Sequence, residues 1–518
     1  MAAIITDQIR ILNAKNFVSL AEDSENNKFY AFLGLANPTD YSSSWDSNPP
    51  SPRDSFEQES DIWDTMIALK KINADDIRQV IRKITWNSGT TYDMYRHDIS
   101  RNNLAKPSNA TNLYSSNFYV MNSDYRVYIC LQNGTTPETP EGKPSLDEPL
   151  FTDLEPKSAG DSGDGYIWKY LYTIKPSDIV KFDSVNFIPV PKNWETDIAN
   201  DPIRQNAQSS GQLKIITIKN RGVGLGTGGI TYTNIPVKGD GFGAKATIIV
   251  NNDAKVEDIF ISDGGYGYTH GRVDLTATTF PPGITTPEFD VIIPPTGGHG
   301  YDIYRELGAT NVLMYTRIEN DTENPDFIVG NQISRVGIVR NPLVSGSSET
   351  LLNLDKVSAL YALKLTGIAY SFTTFSPDSF VTQTIGVGST AVGRVVSYDD
   401  ATGVLKYWQD KSLVGFNSDG SQKIPTYGYN LNRFTDVPDD GGEIIVKGGS
   451  SNLSIDVDFT GITTTINNKT YNLGQFFEEG ISQPEVKKYS GEIIYVDNRP
   501  SITRSKSQKE DIKVILQF

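Results

Sequence analysis

The chain has 518 residues, with 47 basic and 63 acidic side chains, a net charge of −16, and a tilt toward Gly, Tyr and Phe. A protein that neutralises phosphates needs a basic face, and the densest basic stretch, "RSKSQK" at 504–509, reads as a solvated loop, which argues against nucleic-acid binding. No apolar run approaches the ~18 residues of a membrane span, and the N-terminus lacks a basic-then-apolar signal, so neither membrane nor secretion is expected and synthesis in a cytosolic setting is. The lone Cys130 lies in "VYICL" and reads as a small core residue.

Residues 1–36 read as strand, loop, strand ("KFYAFLGLA", 28–36), followed by the Pro/Ser/Asp-rich loop 37–55. Ser60 as cap, with Ile62, Trp63, Met66 and Ile67 on one face, predicts a helix through "DIWDTMIALKK". Asn73, Asp76 and the apolar set Ile77, Val80, Ile81 and Ile84 predict a second helix through "NADDIRQVIRKI". Residues 111–131 return to β, and 134–160 have no periodicity. "GDGYIWKYLYTIKPSDIVKF" (163–182) predicts a turn, an aromatic strand and a short helix capped at Ser177.

In the next stretch "LKIITIKNRGVGLG" (213–226) is repeated as "VEDIFISDGGYGYT" (256–269), pairing Leu213 with Val256, Ile216 with Ile259, Ile218 with Ile261, Gly222 with Gly265 and Gly224 with Gly267. Gly224 to Gly229 also matches the spacing of a dinucleotide fingerprint. That fingerprint needs a helix after the turn, whereas the β-branched "TYTNIPV" follows. The glycines therefore read as turns through positive φ in a β subdomain of two related hairpins. Farther on, "YDIYRELGA" reads as helix, "ISRVGIV" as strand, and "GRVVSYDDATGVLKYW" (393–408) as a hairpin turning at Asp399 to Gly403. At the C-terminus two strands alternate Ile493, Tyr495 and then Ile512, Val514, Leu516, Phe518, which predicts one buried face.

No sequence constellation points to catalysis. His97, His270 and His299 stand in unrelated contexts, and no zinc, P-loop or nucleophile-elbow motif occurs. Asp161 and Asp164 lack the order of a calcium loop and read as turn formers with Asx-type hydrogen bonds, as does "VPDDGGE" at 437–443. By elimination the chain reads as a binding or structural protein.

Several stretches resemble the homodimeric baseplate wedge subunit of T-even-like contractile-tailed bacteriophages: "FYAFLG" with a following Trp and "NPPSPRDS"; "DIWDTMIALKKI"; "NFYVMNSDYRVYICLQN"; "GDGYIWKYLYTI" with "FIPVP"; "RVGIVRNPL"; and "YSGEIIYVDNRPSI" to "DIKVILQF". The resemblance covers 1–210, roughly 298–345 and 485–518. It implies an α+β fold, mainly β with some α: a β-sandwich core built from both chain ends, with a helical region between. The domains are then 1–210, the N-terminal core with the helical region; 211–297, a β insertion with the duplicated unit; 298–345, core; 346–484, a second β-rich insertion; and 485–518, the closing strands. Both insertions are expected to be surface modules.

The function implied is structural: a virion protein of the tail baseplate that dimerises, binds other wedge proteins and tail-fibre components, and takes part in assembly and in the rearrangement on contraction. No catalytic residue, metal or cofactor carries over. Trp63, Tyr166, Trp168 and Tyr170 are the candidates for core or subunit contacts. The alternative is a tail-associated carbohydrate-binding or depolymerase protein, which would show clustered surface aromatics and a close acidic pair in one insertion.

Overall fold

The computed structural model describes residues 4–36, 45–207, 212–319, 332–367, 369–505 and 508–518. They form two units, one from Met1–Val18, Arg78–Leu313 and Ile515–Phe518, the other from Ser19–Ile77 and Met314–Val514. Strands dominate both, and the helices are short apart from the first.

In unit 1 a three-stranded antiparallel sheet joins Tyr119–Met121, Arg126–Asn133 and Tyr166–Thr173. Its aromatic and β-branched residues suit a pleated surface covered on both faces, and Val127, Tyr128, Ile129, Cys130, Trp168 and Tyr172 are all buried. The 211–297 stretch builds further sheets: Thr231–Gly239, Lys245–Val250, Val256–Asp263 and Gly271–Val273 form four strands, and Ile215–Asn220 pairs with Glu288–Ile292. A hydrophobic cluster runs from Leu213 through Ile248 and Tyr268 to Ile293 and draws all its buried members from this stretch.

The duplicated glycines behave as their repeat requires. Gly222, Gly224, Gly265 and Gly267 have φ of 63°, 79°, 57° and 75°, and between them Val223 and Tyr266 bridge Thr285 and Phe242. The two copies are nevertheless not two hairpins. Val256–Asp263 pairs with the adjacent Lys245–Val250, whereas Ile215–Asn220 takes its partner from the far end of the stretch. After the fingerprint-like glycines comes the strand Thr231–Gly239, so the turn opens no helix.

In unit 2 a five-stranded sheet has the order Lys356–Ser358, Met66–Ile72, Phe29–Gly34, Gln332–Arg340, Glu492–Thr503. Its central strand Phe29–Gly34 is buried along its whole length. A second sheet of seven strands closes on itself, because Val404–Trp408 pairs with both Ser389–Asp399 and Tyr361–Thr366. The hairpin expected at 393–408 is there, with Asp399 opposite Val404.

Several expectations are corrected. Asp7–Glu22 is a helix, not a strand. The helix at 61–71 is instead Phe56–Thr65, capped by Ser55, whose side chain accepts from the Gln58 N–H; Met66–Ile72 is a strand. The helix at 73–84 shrinks to one 3₁₀ turn, Ala74–Asp76, before the strand Ile77–Arg82. The Asp76 carboxylate does accept from the Asn73 N–H at 3.3 Å, so the capping signal is real while the helix it announces is absent. The intended "helical region between" thus holds mostly strands. Pro176–Phe182 is helical with Lys175, not Ser177, at the cap position. At the C-terminus only Val514 of the alternating set is buried, the others being half-covered. Positions 37–44 of the predicted N-terminal loop lie outside the described residues, as do 506 and 507 of the basic stretch.

Candidate subunit-contact surfaces

The aromatic residues singled out by sequence fall in two places. Trp63 is fully buried in unit 2, among Tyr30, Phe32 and Leu69. Tyr166 and Trp168 stack in unit 1, ring centroids 5.2 Å apart, with Tyr92 edge-on to both. The Tyr166 hydroxyl accepts from the Tyr92 N–H at 2.9 Å and donates to the Lys143 carbonyl at 2.8 Å, so its polar end is satisfied within the core. Tyr170, on the same strand, is half-buried beside Tyr128, and its hydroxyl lies 2.8 Å from that of Thr173. Trp63, Tyr166 and Trp168 are therefore core residues of a single chain, and Tyr170 alone reaches the surface.

The histidines and acidic turns are also placed. His97 accepts from the Ile293 N–H at 3.3 Å, His270 is exposed beside Asp240, and His299 is buried against Glu306. Asp164 accepts from the Tyr166 N–H at 3.0 Å and the Leu146 N–H at 2.9 Å, the Asx-type role expected of it. Burial raises the Cys130 thiol well above its ordinary pKa, which leaves it inert. Among the described residues no cluster of His, Cys, Asp and Glu is arranged to hold a metal, and no helix is long and apolar enough to cross a membrane.

Sequence reasoning missed Arg335. Its side chain is fully buried in unit 2, where Nε donates to Asn498 Oδ1 at 2.8 Å, Nη1 donates to Thr65 Oγ1 at 3.0 Å, and the guanidinium lies 5.9 Å from the Trp45 ring. Asn498 in turn donates to the Pro50 carbonyl at 2.9 Å, and Trp45 Nε1 to the Arg499 carbonyl at 3.0 Å. One cation thus gathers the "NPPSPRDS" loop, the end of the "DIWDT" helix, the "RVGIV" strand and the "VDNRP" strand. The only signal available in advance was an arginine within an otherwise apolar strand.

Surfaces that could receive a partner lie elsewhere. The helix Asp7–Glu22 buries Ile11 and Ala14, and Phe17 meets Phe518 with ring centroids 5.5 Å apart. Its other face carries Ile9 and Leu12, 48% and 52% exposed, and Ile5 just before the helix is 69% exposed. Ile9 and Leu12, three residues apart, share one face of the helix and form a short apolar stripe, with Ile5 in the chain just before it. In the second β-rich segment the exposed rings of Phe416 and Tyr429 lie tilted against each other, centroids 4.7 Å apart, and the neighbouring carboxylate of Asp436 raises the Glu479 pKa. Phe242 and Tyr266 form a further exposed pair at 5.8 Å in the 211–297 segment.

Comparison with known proteins puts these surfaces in context. The sequence model of a family described as Bacteriophage T4, Gp8 matches residues 3–148. The baseplate wedge protein gp8 of Enterobacteria phage T4 is 27% identical over 237 residues, which cover 39% of this chain and 64% of that protein. The chain therefore spans a little under two thirds of the length of the curated relative it matches. The apolar stripe on the first helix and Trp63 lie inside the matched stretch, whereas the 211–297 and 346–484 segments lie outside residues 3–148. Over part of its length, then, the chain is similar to a phage baseplate wedge protein.

Proposed function

We propose that this chain is a structural, non-enzymatic component of a phage tail baseplate wedge, and hence of the virion. In this reading it forms a homodimer that binds neighbouring wedge proteins and tail-fibre components and takes part in the rearrangement on contraction. The observation that carries the reading is the exposed apolar group at the start of the first helix, Ile9 and Leu12 on one helix face with Ile5 just before it, within the family-matched stretch. Large apolar side chains presented to water in a group are costly unless another surface covers them, and obligate interfaces are built from such residues. Because Phe29–Gly34 and Glu492–Thr503 both pair with Gln332–Arg340, the architecture is consistent with a sandwich core drawing on both ends of the chain. The self-contained cluster of 211–297 supports its role as an added module.

Sedimentation of the purified chain, alone and with the other wedge proteins of its phage, tests the reading. A dimer that enters a larger complex, weakened when Ile9 and Leu12 are changed to Gln, is the expected result. A monomer that ignores those proteins overturns it. A second reading, carbohydrate binding, is favoured by the exposed Phe416–Tyr429 pair together with the Asp436–Glu479 contact in one segment. Binding of host-surface polysaccharide that disappears on Phe416→Ala with Tyr429→Ala would establish it.

A further inference from the structure

A cationic and aromatic cluster in unit 2 has no counterpart in the wedge reading. Asp64, at the end of the Phe56–Thr65 helix, is its hub. Tyr489 donates its hydroxyl to Asp64 Oδ1, and Lys411 Nζ lies 3.4 Å from Oδ2 while donating to Ser60 Oγ at 3.1 Å. The same ammonium sits 3.8 Å from the centroid of the Tyr489 ring. Lys488 Nζ donates to the Asp64 main-chain carbonyl at 3.1 Å and lies 5.5 Å from the Tyr361 ring, on which Arg433 also packs at 5.4 Å. Arg433 donates to the neutral Gln483 side chain at 2.7 Å. Asp61 is close enough to Tyr489 to act on its phenol.

Three cations thus converge about Asp64, whose two carboxylate oxygens are both engaged, with Asp61 nearby. Among the described residues neither Lys488 nor Arg433 has an ion pair, although the chain as a whole carries 16 more negative than positive charges. Burial, helped by the like charges of Lys411 and Arg433, lowers the Lys488 pKa to about 8 against the pull of Asp64. Tyr489 holds its place at a φ of 62°, an uncommon conformation for a non-glycine residue, and the residue is 48% exposed. Arg433 is exposed and Lys488 partly so, while Tyr361, beneath both, is buried against Tyr407.

We propose that Lys411, Arg433, Lys488 and the exposed ring of Tyr489 form a docking site for an acidic segment of another protein. Charge complementarity selects the occupant: carboxylates would supply the counter-ions that Lys488 and Arg433 lack, and the Tyr489 face and lysine stems would cover the apolar parts of a peptide. A nucleic acid would need a longer basic track than three side chains on a strongly acidic protein. The proposal goes beyond the wedge reading and stands or falls without it.

The test is titration of the full chain with a fluorescein-labelled hexaglutamate peptide at low salt, followed by anisotropy. Saturable binding that weakens at least tenfold in Lys411→Glu with Arg433→Glu, and survives in Lys423→Glu with Lys469→Glu, is expected. Lys411→Arg with Arg433→Lys, which keeps the charge, should bind within about threefold of the parent and guards against a folding defect in the reversal variant. Absence of binding to the parent chain, equal loss in the control pair, or inorganic phosphate displacing the peptide at equal concentration would each overturn the proposal. So would a salt-sensitive dimer of the chain alone that the same reversal abolishes, since the occupant would then be a second copy.

Discussion

His299 Nδ1 and Glu306 Oε1 stand 2.6 Å apart in the core of unit 1, with both side chains almost fully buried. The other carboxylate oxygen accepts from the Gly300 N–H at 2.7 Å, and the imidazole lies edge-on to Tyr95 at 4.7 Å. The pair therefore pins the glycine-rich turn to the helix Ile303–Leu307. Replacing Glu306 by Ala leaves two buried donors without an acceptor, at a cost of about 3 kcal/mol. Thermal melting of the variant should show a drop of about 6–12 °C.

Gly337 offers a steric test in unit 2. A Cβ there would lie 2.3 Å from the Phe32 ring and 2.4 Å from the Tyr495 carbonyl oxygen. Phe32 is the Cα partner of Gly337 on the neighbouring strand, so neither obstacle can swing away without moving the sheet. Gly337→Ala should lose about 2–4 kcal/mol by denaturant titration, above the ordinary cost of overpacking because a main-chain atom is involved.

The 211–297 and 346–484 segments, both expected from the sequence to be surface modules, should respond differently to removal. Ile215 and Ile292 are paired across the neck of the first, so its ends are adjacent and a short glycine linker can replace 216–291. The remainder should keep cooperative unfolding, because the excised segment takes all of its cluster's buried members with it except Leu213 and Ile293. Removing 346–484 withdraws the edge strand Lys356–Ser358 and takes Leu360, Val396 and Trp408 from a cluster with Leu33, Ile67 and Ala68. That deletion should leave unit 2 unfolded, as read by loss of near-ultraviolet circular dichroism.

Stability should rise with pH on the alkaline side before it falls. Burial lowers the pKa of Lys169, Lys406 and Lys488 to about 8, against about 10.4 for a free lysine. Between those values the unfolded chain binds more protons, so raising the pH favours the folded state. Above about 10 the sign reverses, because burial holds the phenols of Tyr119 and Tyr172 protonated in the folded chain while unfolded tyrosines ionise. Denaturant midpoints should therefore peak near pH 10, and Lys406→Met should flatten the rise.

What could be read in advance depended on whether the cause was local. The Gly-x-Gly repeat was legible because a chain reversing through positive φ demands glycine whatever surrounds it. The run "MIALKKI" was not, because a strand covered on both faces shows the same unbroken apolar pattern as the side of a helix, and only pairing with Phe29–Gly34 decides between them. The first helix was missed since Ile9 and Leu12 on its outer face, with Ile5 just before it, blur the amphipathic signal of Ile11 and Ala14. Arg335 lay beyond reach altogether, with partners 163 and 270 positions away in the chain.

The placement of Phe29–Gly34 between Met66–Ile72 and Gln332–Arg340, with Glu492–Thr503 outside the latter, also sets a timetable on the ribosome. Of these strands the first two emerge together, but the last member of their sheet, Glu492–Thr503, is translated only after residues 78–491. At about 5–20 residues per second that interval is on the order of a minute. Throughout it the nascent chain carries an unfinished sheet edge, while most of unit 1, encoded in the continuous span Arg78–Leu313, has time to fold in the interim. Chaperone demand during synthesis should therefore fall mainly on unit 2.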